Sequence, residues 1–107
     1  MNIDPRPGEV WIVDFGLEAK QRPVLVLAYP EPEDARALVV VLPLTSQLRG
    51  LRGEVDIGKP RWLPKHSAVN IQGFASIDQH ALIRKLGKLS DGQLLSVKNA
   101  IREMLSL

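Results

Sequence analysis

The chain has 107 residues, of which 45% are hydrophobic and 24% are charged, and its formal net charge is +2 at pH 7. These values fit one soluble globular domain spanning residues 1–107. The absence of cysteine excludes disulfides and thiolate metal sites. No apolar stretch is long enough to cross a bilayer, and the N-terminal residues lack the layout of a secretory signal, so we expect a cytoplasmic protein without membrane association.

The first half of the chain predicts three strands separated by polar, proline-containing loops. Glu9–Phe15 alternates between apolar and polar residues, as a strand with one buried face does. Arg22–Tyr29 is nearly apolar throughout, which favours a central strand, and Pro23 fits its beginning because proline lacks a backbone donor. Ala37–Leu42 is a third apolar run, ended by Pro43.

The second half predicts shorter strands and one helix. Gln47–Gly53 is polar and carries two glycines, which indicates a mobile loop. Short apolar runs between turn residues then predict further strands at Glu54–Ile57, Ser67–Ile71 and Ala75–Ile77. Ile83–Leu89 fits either a last strand or part of a short helix-then-strand unit that begins near Gln79.

The C-terminal segment has the pattern of a capped amphipathic helix. Ser90 and Gln93 match a capping box, in which each side chain satisfies a free backbone donor. Apolar residues follow at helical spacing and predict about four turns with one face on the core: Leu94, Val97, Ile101, Met104 and Leu105. Many short strands and one terminal helix predict a mainly β fold, a small and strongly curved β-barrel with the helix packed on it.

Positive charge is concentrated in the middle of the chain. Between residues 49 and 66, basic side chains outnumber Glu54 and Asp56; they are Arg49, Arg52, Lys59, Arg61 and Lys65. Such a patch suggests an anionic partner such as RNA or DNA. The alternative is a solvated surface loop without a partner.

Few residue patterns in the chain point to chemistry. There is no phosphate-cradling glycine loop, no cluster with metal-ligand spacing and no nucleophile elbow. What remains is Arg22 at the start of an apolar strand and Thr45-Ser46 after the next one. If these strands pair antiparallel, the guanidinium and the hydroxyls share one sheet edge and are suited to a phosphodiester. The alternative is a rim charge beside an ordinary turn.

Four segments in order resemble the MazF/PemK family of toxin–antitoxin endoribonucleases. They are Pro-Gly-Glu-Val-Trp at the start, Arg-Pro before an apolar strand, Pro-Leu-Thr-Ser at a strand end, and a Ser-Ile-Asp segment followed by the capped helix. The resemblance runs from about Pro7 to the end of the chain. Each segment alone is weak, whereas their order and spacing together are specific.

The resemblance implies an SH3-like barrel with an added helix, working as a homodimer without a metal or other cofactor. It implies sequence-specific cleavage of single-stranded RNA, including mRNA, by attack of the 2′-hydroxyl on the phosphodiester. It also implies inhibition by a cognate antitoxin with an acidic C-terminal tail. The family's catalytic arginine falls on Arg22 and its strand-end threonine on Thr45, with Ser46 in support.

The general base is the point at which this sequence departs from some members of the family. Those members place an arginine and a carboxylate within the segment that is Val69–Gly73 here, where this chain has Asn70 and Gln72. Neither amide accepts a proton at neutral pH. Glu18, in the first loop, is the alternative catalytic carboxylate, and Asp78 is another that could equally cap a helix.

Holding RNA requires positive charge and stacking surfaces. Trp62, beside Arg61 in a loop, is the better stacking candidate, because Trp11 lies within a strand and fits the core. The expected RNA contacts are Lys20, Arg49, Arg52, Arg61, Trp62, Lys65, Asn70 and Gln72. Two other functions stay open: a non-catalytic relative that binds only antitoxin or DNA gyrase, and an unrelated barrel that binds RNA structurally.

Overall fold

The computed structural model describes residues 4–14, 21–35 and 38–107. This part of the chain forms an antiparallel sheet of seven strands and one helix. Two short 3-10 turns, Ile71–Gly73 and Gln79–Ala81, precede the last two strands. The elements are β1 (Glu9–Val13), β2 (Arg22–Ala28), β3 (Leu38–Thr45), β4 (Glu54–Gly58), β5 (Ser67–Asn70), β6 (Ala75–Asp78), β7 (Leu82–Lys88) and α1 (Asp91–Leu105).

The sheet bends at β3, which changes partner along its length. One edge of β3 pairs with β2, while its other edge pairs first with β6, over Leu38–Val41, and then with β5, over Leu44–Thr45. Pro43 lies between these two pairings, and its missing N–H suits a position where the ladder is interrupted. The strand therefore continues through Pro43 to Thr45, three residues beyond the end predicted from the sequence.

The mainly β class with a terminal helix is confirmed, but the sheet is open rather than a closed barrel. Its order is β4-β5-β3-β2-β1-β7, and within the described residues the end strands β4 and β7 do not pair. Side-chain packing links the two ends instead. Trp62, between β4 and β5, lies so close to β7 that a Cβ on Gly87 would be 2.5 Å from its ring.

Two apolar clusters fill the two faces of the sheet. One lies under α1 and includes Val10, Leu25, Leu42 and Val97, all fully buried. The other covers the opposite face and includes Trp11, as expected for a core tryptophan. Because β2 lies between β1 and β3 and contributes to both clusters, its apolar sequence is explained by its central place.

The helix begins as its capping box predicts. The Ser90 hydroxyl accepts from Gln93 N–H at 3.1 Å, and the Gln93 side chain accepts from Ser90 N–H at 3.0 Å. Gln93 Nε2 also donates to the Ile57 carbonyl, which ties the helix start to β4. Val97 is buried, whereas Leu105, placed in the apolar stripe by sequence, is half exposed. No helix in the described ranges has the length and apolar character to cross a membrane.

The Pro-Gly-Glu-Val-Trp segment ties the N-terminus to the sheet. Gly8 has a φ of +94°, and it donates its N–H to the Val26 carbonyl while its own carbonyl accepts from Leu89 N–H. The buried Glu9 carboxylate accepts from Trp11 Nε1 at 3.0 Å. In the structure this segment is therefore a packing element.

Candidate functional site

A groove with a volume of about 490 Å³ opens at one edge of the sheet. Continuing the β2–β3 register from the Val24–Pro43 pair places Arg22 opposite Thr45. Both residues line the groove, together with Ser46. The antiparallel pairing expected from the sequence is thus confirmed, and it brings the guanidinium and the two hydroxyls to one edge.

Arg22 is exposed and is the first residue of β2. Its pairing partner on the neighbouring strand β1 is the buried, apolar Val13. No carboxylate in the described residues forms an ion pair with it. With no carboxylate bound to it from the described residues, the guanidinium offers its donors to an anionic ligand.

The hydroxyl of Thr45 has a defined orientation. Its Oγ1 accepts a hydrogen bond from Gln47 N–H at 3.1 Å, which closes the turn after β3. The hydroxyl proton thereby stays available for donation to a group in the groove. Ser46 is exposed beside it, at the groove wall.

The opposite wall of the groove comes from the segment before and at the start of β5. Leu63 and Pro64 supply apolar surface, and Lys65 supplies an exposed cation. The buried Ser67 donates its hydroxyl to the Lys65 carbonyl at 2.9 Å, which fixes this turn. The first groove therefore combines the cations of Arg22 and Lys65 with the hydroxyls of Thr45 and Ser46.

A second groove of about 180 Å³ continues from the first, because both are lined by Thr45 and Gln47. Of the residues predicted to contact RNA, it brings together Arg49, Arg52, Asn70 and Gln72. Asn70 Oδ1 accepts from Gln72 N–H at 3.1 Å.

Glu54 also lines the second groove and was not among the residues predicted from the sequence. Its Oε1 accepts from the N–H groups of Arg49, at 3.0 Å, and Leu51, at 3.3 Å. No motif in the sequence singles out Glu54, because its place depends on hydrogen bonds to backbone N–H groups of the loop.

Other predicted site residues lie elsewhere or outside the described ranges. Trp62 is half buried against the core and Gly87, and neither it nor the exposed Arg61 lines the two grooves. Asp78 caps a 3-10 turn by accepting from His80 N–H at 2.7 Å. The predicted residues Glu18 and Lys20 lie outside the described residues.

An exposed side-chain contact joins β4 to the segment before β5. His66 Nε2 and Asp56 Oδ1 are 2.6 Å apart. A hydrogen bond from Gly58 N–H, followed by that from His66, lowers the pKa of Asp56 below its ordinary value. Neither side chain lines the first groove, although Lys65 and Ser67 on either side of His66 do.

The described lining of the first groove contains no carboxylate and no imidazole. Across the ranges 4–14, 21–35 and 38–107 no group of three or more His, Cys, Asp or Glu side chains could hold a metal ion. The groove as described can bind an anion and stabilise negative charge through Arg22 and Thr45.

Comparisons with known proteins give concordant results. Residues 6–105 match the model of the family described as PemK-like, MazF-like toxin of type II toxin–antitoxin system. The probable endoribonuclease MazF5 of Mycobacterium tuberculosis is 35% identical over 106 residues, covering 94% of this chain and 93% of that protein. Probable endoribonuclease MazF2 of the same species is 30% identical over 98 residues, covering 91% and 94%.

Solved structures with the same fold include toxins of this kind. The Mycobacterium tuberculosis toxin MazF-mt6 superposes with a TM-score of 0.77 at 29% identity, over 92% of this chain and 97% of that one. A mycobacterial endoribonuclease in complex with its cognate antitoxin gives 0.80 at 23% identity, over 96% of each chain. At that identity the second likeness concerns the fold alone.

Proposed function

The chain belongs to the PemK-like and MazF-like toxins of type II toxin–antitoxin systems, and from this premise we propose that it is an endoribonuclease that cleaves single-stranded RNA in the first groove. The observation that carries the proposal is the placement of Arg22 opposite Thr45, with both lining one groove. The substrate is mRNA in the cytoplasm, and no metal takes part.

The proposed reaction is a transesterification within the RNA. The ribose 2′-oxygen forms a bond to the adjacent phosphorus as the bond from phosphorus to the 5′-oxygen breaks. The 2′-hydroxyl proton goes to a general base, and a proton from a general acid goes to the leaving 5′-oxygen. The products are a 2′,3′-cyclic phosphate and a free 5′-hydroxyl.

Arg22 and Thr45 stabilise the charge that develops on the phosphoryl oxygens. A guanidinium gives a phosphate two parallel hydrogen bonds and remains protonated, so it acts electrostatically rather than as a proton donor. Thr45 donates its hydroxyl proton, because the oxygen already accepts from Gln47 N–H. Ser46, exposed beside it, supports the same phosphate.

The general base is assigned to Glu18, which stays a prediction. Glu18 precedes Arg22 by four residues in the sequence, and the described groove lining contains no carboxylate. Glu18→Gln should lower the rate of cleavage with little change in RNA affinity. Single-turnover rates beside binding constants would separate the two, and unchanged rates would remove Glu18 from the mechanism.

We expect Arg22→Ala and Thr45→Ala each to reduce cleavage by about 10²-fold or more, the cost of removing one donor to developing negative charge. The measurement is cleavage of a long mixed-sequence RNA in EDTA, with product ends mapped. Thr45→Ser, which keeps the hydroxyl, should retain cleavage. Arg84→Ala, an exposed arginine on β7, is the matched control. Intact RNA with folded wild-type protein would refute the proposal.

A second candidate function is a non-catalytic module that binds antitoxin or DNA gyrase. It is favoured by Gln72, where some family members carry a carboxylate, and by the lack of a carboxylate in the described lining of the first groove. Inhibition of gyrase supercoiling without RNA cleavage would support this alternative. Supercoiling that is unaffected by the protein would exclude the gyrase version.

We also propose that an antitoxin tail covers the grooves. Arg49, Arg52 and Lys65 surround them, so an acidic, disordered segment that folds on binding would exclude RNA. Its gene is expected beside this one. Competition between a synthetic acidic tail and RNA is the measurement, and simultaneous binding would contradict the model.

A homodimer completes the proposed assembly. The structure exposes several large apolar side chains that an interface would cover, among them Leu38, Phe74 and Ile83. A domain of this length also gains burial from dimerisation. Sedimentation at micromolar concentration should give twice the chain mass, and a monomer would refute the dimer.

A further inference from the structure

Hydrogen bonds anchor both ends of the loop that joins β3 to β4. At its start, Thr45 Oγ1 accepts from Gln47 N–H. At its end, the Gly53 carbonyl accepts from Ile71 N–H at 2.7 Å. A loop between such fixed ends can present side chains in a defined geometry even though it has no regular structure.

The Glu54 carboxylate supplies the central contact of this loop. One oxygen accepts from the N–H groups of Arg49 and Leu51, and the Glu54 N–H donates to the Leu51 carbonyl at 3.1 Å. The carboxylate thereby fixes the backbone on both sides of Gly50.

The position of this carboxylate is unexpected for a site that binds a polyanion. Glu54 lines the second groove beside Arg49 and Arg52, so its charge opposes phosphate binding there. A negative charge at this place is explained if the carboxylate serves to fix the loop backbone, through its hydrogen bonds with the N–H groups of Arg49 and Leu51.

The second groove is small and is lined mostly by polar side chains. Its volume of about 180 Å³ is below the ~300 Å³ typical of pockets for drug-sized ligands. Asn70 Oδ1 is used by Gln72 N–H, which leaves the Asn70 amide N–H₂ as a donor toward a ligand. Amide groups of this kind bind the edges of unstacked bases.

We propose that Glu54 is a positioning residue for RNA: it holds the loop so that Arg49 and Arg52 flank the second groove, which takes the nucleotide next to the phosphodiester at Arg22 and Thr45. The two grooves share Thr45 and Gln47, so one strand can pass directly between them. The inference rests on the proposed ribonuclease function and names a subsite and a residue beyond it.

The experiment measures binding rather than cleavage, so it does not depend on catalysis. The probe is a mixed-sequence 2′-O-methyl RNA, which lacks the attacking hydroxyl, and its affinity is read by fluorescence anisotropy. Glu54→Ala should bind about tenfold more weakly, since two arginine–phosphate contacts lose their fixed geometry. Glu54→Gln keeps an acceptor oxygen and should stay within about twofold of wild type.

Amide hydrogen exchange supplies the second measurement. In Glu54→Ala the Arg49 and Leu51 amides should exchange faster, whereas in Glu54→Gln they should stay protected. Glu33→Ala, which removes an exposed carboxylate in another loop, is the control and should change neither quantity. If Glu54→Ala fails to fold, Glu54→Asp keeps the charge but shortens the reach, and it should also weaken binding.

The outcomes separate the inference from the proposed function. Wild-type affinity in Glu54→Ala, or equal losses in Glu54→Gln and Glu54→Ala, would overturn the positioning role. Faster exchange with unchanged affinity would show that the loop does not serve RNA and would overturn it as well. Failure of the wild-type protein to bind the probe would instead refute RNA binding itself.

Discussion

Hydrogen bonds from three residues meet at the carboxylate of Glu9, a buried side chain on β1. Arg6 N–H and Trp11 Nε1 donate to Oε1, and Lys85 Nζ lies 2.9 Å from Oε2. Burial alone would raise the pKa of Glu9, but the hydrogen bonds from Lys85, Arg6 and Trp11 outweigh it and lower the pKa below its ordinary value. At the residue scale, the most distinctive motif of the sequence therefore serves stability.

We expect Glu9→Gln to lower the free energy of unfolding at pH 7 by about 1–3 kcal/mol, because an amide N–H₂ would face the Lys85 ammonium. The depressed pKa means that the ionised carboxylate stabilises the fold above its unfolded pKa of about 4.3. This contribution is lost as the pH falls through the folded pKa. Urea unfolding between pH 3 and 7 should therefore show the two proteins converging at low pH.

A double-mutant cycle with Lys85→Gln identifies the partner. If Lys85 accounts for the loss, the double variant should be more stable than the sum of the single effects predicts. A difference between Glu9→Gln and wild type that is independent of pH would contradict the assignment.

At the scale of elements, contacts between strands and loops decide where the predicted residues lie. Trp62 follows β4 in sequence, yet its ring packs against β7 at Gly87. This contact links the two ends of the open sheet. It also covers the ring surface that the sequence analysis had predicted to stack on an RNA base. The β3–β4 loop, by contrast, turns its arginines toward the second groove.

We expect Gly87→Ala to destabilise the fold by about 1–3 kcal/mol, the usual cost of adding a methyl group to a well-packed contact. The new Cβ would lie 2.5 Å from the Trp62 ring, so the ring must move. Thermal unfolding is the measurement, with tryptophan fluorescence to follow Trp62.

The matched control is Gly92→Ala in the first turn of α1, where a Cβ would meet nothing within 4 Å. That substitution should stabilise the fold by up to about 1 kcal/mol, since alanine favours helix more than glycine does. Equal effects of the two changes would show that the contact with Trp62 is unimportant.

At the scale of the whole molecule, charge is separated along the surface. Both grooves are flanked by basic side chains from three stretches of sequence, Arg22 in β2, Arg49 and Arg52 in the loop after β3, and Lys65 before β5. The acidic loop after β2, with Glu31 and Asp34, lines a different surface. An anionic strand is therefore directed toward the grooves.

RNA affinity should fall as the salt concentration rises. The slope of log affinity against log salt concentration is proportional to the number of phosphate contacts. For a single strand the logarithm of affinity falls by roughly 0.7 per contact for each tenfold rise in salt. We expect Arg52→Ala to reduce this slope by the amount that corresponds to about one phosphate contact. Arg102→Ala, on α1, should leave the slope unchanged. An unchanged slope in Arg52→Ala would place Arg52 outside the RNA path.

The pairing of β2 with β3 could be predicted because both strands are apolar and adjacent in the chain, and this was sufficient to bring Arg22 and Thr45 together. The helix could also be predicted, since its capping box and apolar spacing are local. The continuation of β3 through Pro43 could not be predicted. A proline is tolerated in a strand only where no carbonyl of the neighbouring strand needs a hydrogen bond from that position, and this depends on how β5 and β6 pair with β3.

By itself the sequence determined the mainly β class, the terminal helix, the family and the arginine–threonine pair, all of which depend on local patterns or on adjacent strands. Only the tertiary structure decided that the sheet stays open, that Trp62 packs against β7 across the gap, and that Glu54 holds the loop that carries Arg49 and Arg52. Each of these depends on residues distant in sequence, or on hydrogen bonds to backbone groups, and such contacts leave no periodic pattern in a chain.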